Sequence, residues 1–398
     1  MDDLGRALAA GGGHLLMLGG GNPALIPGVE EVWRRRIHEI LRDGRAWERL
    51  LAIYDPPRGN AGFLSIAADY FRRRFGWDIG PEHIVVTAGG QSAFFHLFNL
   101  FAGESPDGRK RRILLPVMPE YIGYANQGLA DEFFEGHMPH IQEFGGREFK
   151  YLIDFDALSV GDEIGAACVS RPTNPSGNVI DDGELARLSD LCAERGVPLI
   201  VDNAYGTPFP GILFRECRPI FAPHVINVFS LSKLGLPNTR TALVVAAPAI
   251  TRAISSMTAV TGLANGTLGQ SILGPLLASG EIDDMVASII QPYYAGRLQQ
   301  ARTWLEEALG PDFPYRLHQT GGAMFLWLWL PWLPVTSREL YTRLKEAGVL
   351  VVPGRAFAFG SPAAEAHADQ CIRISFAMDE ETVHEGLERI ASVVKALH

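Results

Sequence analysis

A lysine with hydroxyl and guanidinium groups nearby stands past the middle of the chain. Lys233 follows an apolar, strand-like run; Ser230 and Ser232 precede it, and Arg240 follows seven residues later. An amine in this setting is suited to forming an imine with a carbonyl compound, and the guanidinium group is suited to holding a phosphate. A solvated loop lysine is the alternative interpretation, because short motifs are fallible.

A carboxylate and a phenol precede this lysine. Asp202 closes the apolar run 198–202, and Tyr205 follows three residues later. In open α/β sheets, ligands gather at the carboxyl ends of the strands. A carboxylate beside the pyridine nitrogen of pyridoxal 5'-phosphate (PLP) keeps that nitrogen protonated, so that the ring accepts electrons when a substrate bond breaks. Tyr205 could donate its hydroxyl group to the ring phenolate. An aspartate that caps a turn is the alternative for Asp202.

Three other segments carry groups that could contact the same cofactor. Asn174 lies in the turn 170–178, which its prolines make rigid, and its amide could donate to the phenolate oxygen. The small residues of 87–93 stand where a strand gives way to a helix, and they leave backbone N–H groups open to a phosphate. Tyr121 could stack on the pyridine face, although it could equally be an ordinary boundary aromatic residue.

Composition limits the class of protein. The chain has 398 residues, 47% hydrophobic and 20% charged, so it can bury a large core, which we expect to divide between two domains. The formal net charge of −10 argues against a nucleic-acid partner, since phosphate binding requires a concentrated basic surface. The most apolar run, 323–330, is far shorter than the roughly 20 residues of a membrane-spanning helix. We interpret it as a buried strand and expect no membrane partner.

Several other kinds of site lack a sequence signature. The four cysteines include no C-x-x-C pair, which predicts neither a disulfide framework nor a structural zinc site and fits a reducing cytoplasm. His137 with His140, and His367 with Cys371, lack the further ligands of a zinc site, so we expect no metal. No P-loop or G-x-S-x-G motif occurs, and no dinucleotide fingerprint follows a strand. The acidic start of the chain predicts no secretory signal.

The alternation of elements predicts an α/β fold. From about residue 57 to about residue 251, helix-like segments alternate with short apolar runs, the pattern of a mostly parallel sheet with helices on both faces. We expect a helix over 182–195, because acidic residues begin it and a glycine follows it. The expected strands are 83–87, 112–116, 166–170, 198–202, 225–229 and 241–245.

After about residue 291 the pattern changes to that of a smaller α+β domain. Its expected elements are helices over 293–309 and 337–347, the Trp-rich strand, strands over 349–352 and 370–375, and a closing helix from Glu380. The predicted division is therefore a large domain over 46–290, with a small domain formed by 1–45 and 291–398.

Taken in order, these motifs resemble those of the fold type I, class I/II aminotransferases, and the resemblance spans nearly the whole chain. It implies a PLP enzyme whose large domain holds a mostly parallel seven-stranded sheet between helices. Within the family, the chain is similar to the subgroup that converts valine and pyruvate to 3-methyl-2-oxobutanoate and alanine. The segments that carry this closer similarity are 18–24, 121–125, 170–175, 202–206 and 232–237.

The resemblance implies a role for each matching residue. Lys233, Asp202 and Tyr205 would be catalytic: Lys233 would form the imine and move the proton from the substrate Cα, and Asp202 would pair with the pyridine nitrogen. Arg373 would bind the substrate carboxylate, and Gly20 would approach that carboxylate through its backbone, near Asn174. The remaining PLP contacts would come from Gly90, Gln91, Tyr121, Asn174, Tyr205, Ser230, Ser232 and Arg240.

A shared active site is also implied, and some questions stay open. Tyr54 matches the tyrosine that in this family reaches the phosphate of the neighbouring subunit, which implies a homodimer. Gly90, Ser176 and Asn238 replace a common serine, threonine and glycine, and these departures leave room for a specialised substrate. One alternative is another PLP reaction on this fold, such as a β-lyase or a specialised biosynthetic aminotransferase. The other is a non-catalytic effector-binding protein, which the acidic charge disfavours.

Overall fold

Strands and helices alternate along the chain, as the apolar runs predict. The computed structural model describes residues 15–104 and 108–398. Its strands are β1 (Leu16–Met17), β2 (Ile84–Thr87), β3 (Gly103–Glu104), β4 (Lys110–Leu115), β5 (Phe134–Gly136), β6 (His140–Glu143), β7 (Glu148–Leu152), β8 (Ile164–Ser170), β9 (Leu199–Asp202), β10 (Val225–Ser230), β11 (Ala242–Val245), β12 (Arg316–His318), β13 (Phe325–Trp329), β14 (Val349–Leu350), β15 (Val352–Pro353) and β16 (Cys371–Ser375).

The helices begin at recognisable sequence signals. Asp181 and Glu184 form a reciprocal capping box at the start of the expected helix, which runs over Asp182–Glu194. The other α-helices are Pro27–Arg42, Gly44–Ala52, Ala61–Phe75, Gly90–Phe101, Pro248–Thr261, Leu268–Ser279, Glu281–Met285, Gln291–Leu309, Ser337–Glu346, Pro362–Ala368 and Glu380–Lys395. Among the helices of the described residues, none combines the length and the apolar character that crossing a bilayer requires.

The larger sheet has the order β2-β11-β10-β9-β8-β4-β3, with β5 beside β4. Strands β5, β4, β8, β9 and β10 pair in parallel, and β11 is antiparallel to both of its neighbours. Apart from the two-residue β3, the sheet is therefore seven-stranded and mostly parallel, and the predicted α/β fold is confirmed. All residues of β2, β8, β9 and β10 are buried, which is why these strands are continuous apolar runs in the sequence.

The larger sheet is covered on both faces. Successive side chains of a strand point to opposite faces, so Val86 and Leu243 belong to one core cluster, while Val85 and Val244 belong to another. This is the layered arrangement that the alternation of strands and helices predicts. It leaves the carboxyl ends of the parallel strands as the edge where polar side chains collect.

A second sheet has the order β15-β16-β13-β12-β7-β6. Its strands β6 and β7 come from the region 46–290, which is predicted to form the large domain. The domain boundaries at residues 46 and 290 stay a prediction. The single strand expected over 349–352 is wrong. The chain changes partners at Val351, because β14 pairs with β1 while β15 pairs with β16 in the second sheet.

Candidate active site

Lys233 lies in a 3-10 turn, Ser232–Leu234, just after the end of β10. Its Nζ donates a hydrogen bond to the carbonyl oxygen of Gly21 and lies 5.6 Å from the centre of the Tyr205 ring. The amine therefore stands between the carboxyl end of the larger sheet and the N-terminal segment. This position makes it accessible to a ligand held at the edge of the sheet.

The surroundings of Lys233 favour a neutral amine. Its pKa is lowered to about 8, first by burial and then by the positive charges of Arg373 and Arg240. The negative charge of Asp202 acts in the opposite direction. A lysine with a pKa in this range can act as a nucleophile or as a proton acceptor near neutral pH.

Asp202 ends β9, and the parallel register sets it opposite Ser170 at the end of β8. Its Oδ2 accepts a hydrogen bond from the Tyr124 hydroxyl group (2.5 Å), and its Oδ1 accepts one from the backbone N–H of Ala204 (2.8 Å). The pKa of Asp202 is raised to about 6, because burial outweighs these hydrogen bonds and the charge of Lys233. The ionised form still predominates at pH 7, as a partner for a ligand cation requires.

A second carboxyl group, Glu120, follows β4 on the other side of β8. Its Oε1 accepts from the backbone N–H of Ser170 (2.8 Å), and its Oε2 accepts from that of Tyr121 (3.1 Å). Oε2 also lies 2.6 Å from Oγ of Ser170, and that Oγ lies 3.1 Å from the hydroxyl oxygen of Tyr124. Burial raises the pKa of Glu120 to about 8.

A helix N-terminus faces the neighbouring part of the same edge. Helix Gly90–Phe101 begins just after β2, and the ends of β2 and β10 are aligned because Thr87 and Ser230 both pair with Ala242 of β11. A Cβ atom added to Gly90 would lie 3.8 Å from Cβ of Ser230. The N-terminal N–H groups of this helix and the Ser230 hydroxyl group together form a suitable cradle for an anion.

Arg240 adds a positive charge to this cradle. A Cβ atom at Gly89 would lie 2.2 Å from Nη2 of Arg240, so the close approach of the guanidinium group requires a glycine. Gly89 has a φ of 84°, a conformation that also favours glycine. Nη1 of Arg240 contacts Oγ of Ser232 at 3.3 Å. The structure thus brings together Arg240, Ser230, Ser232 and the helix N-terminus; their role in holding a phosphate stays a prediction.

Tyr205 presents an unsatisfied donor. Its hydroxyl oxygen is buried and has no hydrogen-bond partner among the described residues, and burial raises the pKa of this phenol. Buried polar groups are nearly always paired, so this hydroxyl group fits a ligand oxygen such as the phenolate of PLP. Lys233, Asp202, the anion cradle and this phenol are the set of groups that PLP requires, and the residues present therefore fit that cofactor.

Arg373, in β16, points toward the site from the second sheet. Nη1 donates to Oδ1 of Asn174 and Nη2 donates to the carbonyl oxygen of Gly19, each over 2.7 Å. The guanidinium carbon lies 4.2 Å from the centre of the Phe325 ring and 5.1 Å from that of Phe357. Burial lowers its pKa to about 10, which leaves it charged at neutral pH. Its Nε is buried without a partner among the described residues.

Tyr121 and Gln91 meet at Gly123. A Cβ atom on Gly123 would lie 2.3 Å from the Tyr121 ring, so the glycine makes room for that ring. Tyr121 also packs edge-on against Tyr124, with ring centres 5.3 Å apart. The Gln91 side chain donates to the carbonyl oxygen of Gly123 over 2.9 Å. The aromatic ring and the phosphate-side helix are therefore linked.

The N-terminal segment borders the site, but Tyr54 does not join it within one chain. A Cβ atom on Gly21 would lie 3.8 Å from Nζ of Lys233, and one on Gly20 would meet nothing within 4 Å. Gly20 thus faces open space in which a ligand could approach its backbone. Tyr54 is 81% exposed and lines a surface groove with Asn265 and Thr267.

Sequence reasoning missed three residues that complete this geometry. Tyr124 bonds to Asp202 directly, and Glu120 connects to Tyr124 through Ser170. Gly89 allows Arg240 to approach the helix. Glu120 and Tyr124 flank Tyr121 at short spacing, which is the one signal that could have drawn attention to them. Their link to Asp202 depends on the neighbouring positions of β4, β8 and β9, which local motifs do not reveal.

Comparisons with known proteins agree with this geometry. The chain is 41% identical to the valine–pyruvate aminotransferase of Escherichia coli (strain K12) over 395 residues, covering 99% of this chain and 94% of that protein. A crystal structure of a putative amino-acid aminotransferase from Psychrobacter arcticum 273-4 has 40% identity and a TM-score of 0.96, covering 100% of this chain and 94% of the other. A crystal structure of the valine-pyruvate aminotransferase of Salmonella typhimurium LT2 has 39% identity and a TM-score of 0.92, covering 100% of this chain and 98% of the other.

The family assignment follows from the same comparisons. The family described as aminotransferase class I and II matches residues 28–390, which is most of the chain. Enzymes of this family and fold depend on PLP, the cofactor that Lys233, Asp202 and the anion cradle fit. The chain therefore belongs to the class I and II aminotransferase family of PLP-dependent transaminases.

Proposed function

We propose that this aminotransferase moves the amino group of valine to pyruvate, which yields 3-methyl-2-oxobutanoate and alanine. The observation that carries this proposal is the 41% identity to the E. coli valine–pyruvate aminotransferase over 99% of the chain. The site supports it with Arg373, a buried cation suited to the substrate carboxylate. The few cysteines of the sequence support a reducing cytoplasm as the compartment.

The cofactor would be held by the residues at the carboxyl edge of the larger sheet. When bound, PLP supplies a carbonyl group that takes up the amino group and a ring that accepts electrons. We assign its phosphate to Arg240, Ser230, Ser232 and the backbone N–H groups of Gly90 and Gln91. Its ring contacts would be Asp202 at the pyridine nitrogen, Tyr205 and Asn174 at the phenolate oxygen, and Tyr121 on the ring face.

Lys233 would carry the proton chemistry. Its lowered pKa leaves a substantial neutral fraction near pH 8, so Nζ can bond to the cofactor and can accept the proton of the substrate Cα. Asp202, ionised at pH 7, would hold the protonated pyridine nitrogen. The same residues then serve the reverse direction, in which a 2-oxo acid receives the amino group.

The surroundings of Arg373 support the proposal that the substrate carries one carboxylate. The buried arginines of the described chain are Arg171, Arg297 and Arg373. Arg171 bonds to Asp182 and to the carbonyl oxygen of Ile180, and Arg297 bonds to the carbonyl oxygen of Met378, away from this site. The aromatic rings beside Arg373 favour an aliphatic substrate side chain over a second carboxylate, which would need its own cation.

An exposed apolar surface supports a homodimer. Seven large apolar or aromatic side chains of the described residues are exposed in two stretches: Leu41, Trp47, Leu51, Ile53 and Tyr54, then Val260 and Leu263. The two stretches adjoin, since residues 50–55 and 264–267 line one groove. Clustered exposed apolar side chains are typical of an interface between subunits. Tyr54 would then complete the phosphate site of the second copy.

Mixing two variants, each altered at one residue of the proposed site, tests whether the site is shared. Lys233→Ala and Tyr54→Ala subunits, unfolded together and refolded, should yield hybrid dimers that contain one intact site. That site combines Lys233 of one subunit with Tyr54 of the other, so activity should exceed the sum of the separately refolded variants. Sedimentation of the wild type gives the oligomeric state. Activity no greater than that sum, with hybrids present, contradicts a shared site.

The amino donor is tested by the absorbance of the PLP-loaded protein without any oxo acid. Valine or alanine, and not aspartate or glutamate, should convert the yellow lysine-bound cofactor to its colourless amine form. Mass spectrometry should then detect 3-methyl-2-oxobutanoate from valine. A wild type that gains no yellow band with PLP would contradict the enzyme assignment. Conversion by none of the four amino acids, or release of ammonia with the oxo acid, would favour a specialised aminotransferase or a lyase.

A further inference from the structure

Two buried side chains, those of Tyr124 and Ser170, link Asp202 to a second carboxyl group, Glu120. The contacts run from Oδ2 of Asp202 to the Tyr124 hydroxyl group (2.5 Å), on to Oγ of Ser170 (3.1 Å), and from there to Oε2 of Glu120 (2.6 Å). All four residues are buried. The series arises because β4, β8 and β9 are neighbours in the sheet and each residue stands at or after the carboxyl end of a strand.

The number of protons that these contacts require restricts the charge of this series. It contains three oxygen–oxygen contacts, and each needs one proton to be a hydrogen bond. The hydroxyl groups of Ser170 and Tyr124 supply two protons. The third must come from a carboxyl group, so all three contacts are satisfied when one of Asp202 and Glu120 is protonated. With both ionised, each hydroxyl proton binds its own carboxylate and the contact between Ser170 and Tyr124 has none.

The surroundings decide which end keeps the proton. Asp202 faces the amine of Lys233, a cation that favours its ionised form. Glu120 accepts hydrogen bonds from two backbone N–H groups, but its burial opposes ionisation most strongly, and the negative charge of Asp202 on β9 opposes it further. The neighbouring Cys168 of β8 is a neutral thiol, because burial raises its pKa. The raised pKa of Glu120, about 8, exceeds that of Asp202, about 6, which agrees with this order.

We propose that Glu120 is a positioning residue that holds a proton at neutral pH and directs the protons of Ser170 and Tyr124 toward Asp202. Glu120 then donates to Ser170, Ser170 donates to Tyr124, and Tyr124 donates to Asp202, which remains the one ionised carboxyl group. In the proposed function, this keeps a single negative charge facing the pyridine nitrogen. Only the effect on the pyridine nitrogen rests on the proposed function, since the proton arrangement exists without the cofactor.

The protonation of Glu120 can be observed in the cofactor-free protein. Nuclear magnetic resonance of protein labelled at the glutamate carboxyl carbon should show one signal at the position of a protonated acid at pH 7. That signal should move to the carboxylate position as the pH rises through about 8, and Glu120→Gln should remove it. If Glu120→Gln does not fold, Glu120→Asp removes the same glutamate signal. A carboxylate signal for Glu120 at pH 7 overturns the proposal.

The pH dependence of stability gives a second readout. A glutamate whose pKa is raised from 4.5 to about 8 in the folded state binds its proton more tightly there than in the unfolded chain. Its contribution to stability is therefore complete below pH 4.5 and is lost as the pH rises through about 8. Glu120→Gln cannot ionise, so its unfolding midpoint should fall less over this range. Equal slopes for the two proteins contradict a raised pKa.

Cofactor affinity links Glu120 to the site. A glutamine keeps a donor toward Ser170, so Glu120→Gln should bind PLP within about threefold of the wild type at pH 7, whereas Tyr124→Phe removes the donor to Asp202 and should weaken binding by about tenfold. A tenfold loss in Glu120→Gln would mean that an ionised Glu120 is required and would overturn the proposal. Failure of the proposed function is distinguishable, because then the wild type itself would not bind PLP or transaminate.

Discussion

Nη1 of Arg373 and Oδ1 of Asn174 form a buried hydrogen bond, 2.7 Å long, between the two sheets. Arg373 belongs to β16 in the smaller sheet, and Asn174 follows β8 of the larger sheet. A further bond to the carbonyl oxygen of Gly19 fixes the second guanidinium nitrogen. The cation is therefore held in place by the fold itself, and a substrate carboxylate would meet a preorganised partner.

Replacing Arg373 by lysine should raise KM more than it lowers kcat. Lysine keeps the positive charge but loses the planar fork that can bond to Asn174 and a carboxylate together. Because a hydrogen bond to a charged group contributes about 1.5–3 kcal/mol, kcat/KM for valine should fall about 10- to 100-fold. Steady-state kinetics checks this, with PLP affinity as the control. An unchanged KM would show that Arg373 does not bind substrate.

Lys233→Ala should abolish multiple-turnover transamination. The variant lacks both the amine that bonds to the cofactor and the group that moves the Cα proton, and a positioned acid–base group alone contributes on the order of 10²- to 10⁴-fold. Alanine formation from valine and pyruvate measures the loss. Lys395→Ala is a matched control, since this exposed lysine contacts the carbonyl oxygen of Ala308 on the surface. Substantial turnover by Lys233→Ala would refute the assignment.

Asp202→Asn should weaken PLP binding without abolishing it, and it should slow deprotonation of the substrate. The amide keeps the shape of the side chain and the phosphate contacts, but it carries no charge to hold the pyridine nitrogen protonated. Transfer of deuterium from Cα-deuterated valine, followed in a single half-reaction, isolates this step. A deprotonation rate equal to that of the wild type would rule out the proposed role of Asp202.

The central strands and the lysine motif could be predicted because each is a local signal. Strands buried on both faces are continuous apolar runs, as for β10, and Lys233 and Arg240 lie within one short segment. Strand β6 has mostly exposed, polar residues and therefore gives no such signal. Strands β14 and β15 have two residues each, and their apolar run does not indicate that they join different sheets.

The connection between Glu120 and Asp202 could not be predicted, because it depends on tertiary structure. The two residues are far apart in sequence, and the contact through Ser170 requires that β8 lie between β4 and β9 in the correct register. A register shift of one residue would turn Ser170 to the other face of the sheet. Residue types alone do not specify that register.

Gly89→Ala should weaken PLP binding, in addition to any loss of stability from the backbone conformation. The new Cβ atom would collide with Nη2 of Arg240 and displace the guanidinium group from the helix N-terminus. We expect the dissociation constant for PLP to rise by about tenfold or more, since one or more charge-assisted hydrogen bonds to the phosphate are lost. Fluorescence titration of the cofactor-free protein measures this change.

Gly76→Ala is the control for this substitution. Gly76 also has a positive φ, 70°, but a Cβ atom there would meet nothing within 4 Å. It should cost about 1–2 kcal/mol of stability through the backbone conformation and leave PLP affinity unchanged. If both variants change PLP affinity equally, backbone strain and not the Arg240 contact explains the effect.

The rate at which the cofactor-free protein captures PLP should increase with pH, with a midpoint near pH 8. Only the neutral amine of Lys233 reacts, and its pKa is lowered to about 8 by burial and by the charges of Arg373 and Arg240. Removing one cation with Arg373→Gln should raise that pKa and move the midpoint to higher pH, while Arg373→Lys keeps the charge and should leave it in place. Stopped-flow absorbance of the yellow band measures each profile. A wild-type midpoint near 10.5, the ordinary lysine value, would mean that the site does not perturb Lys233.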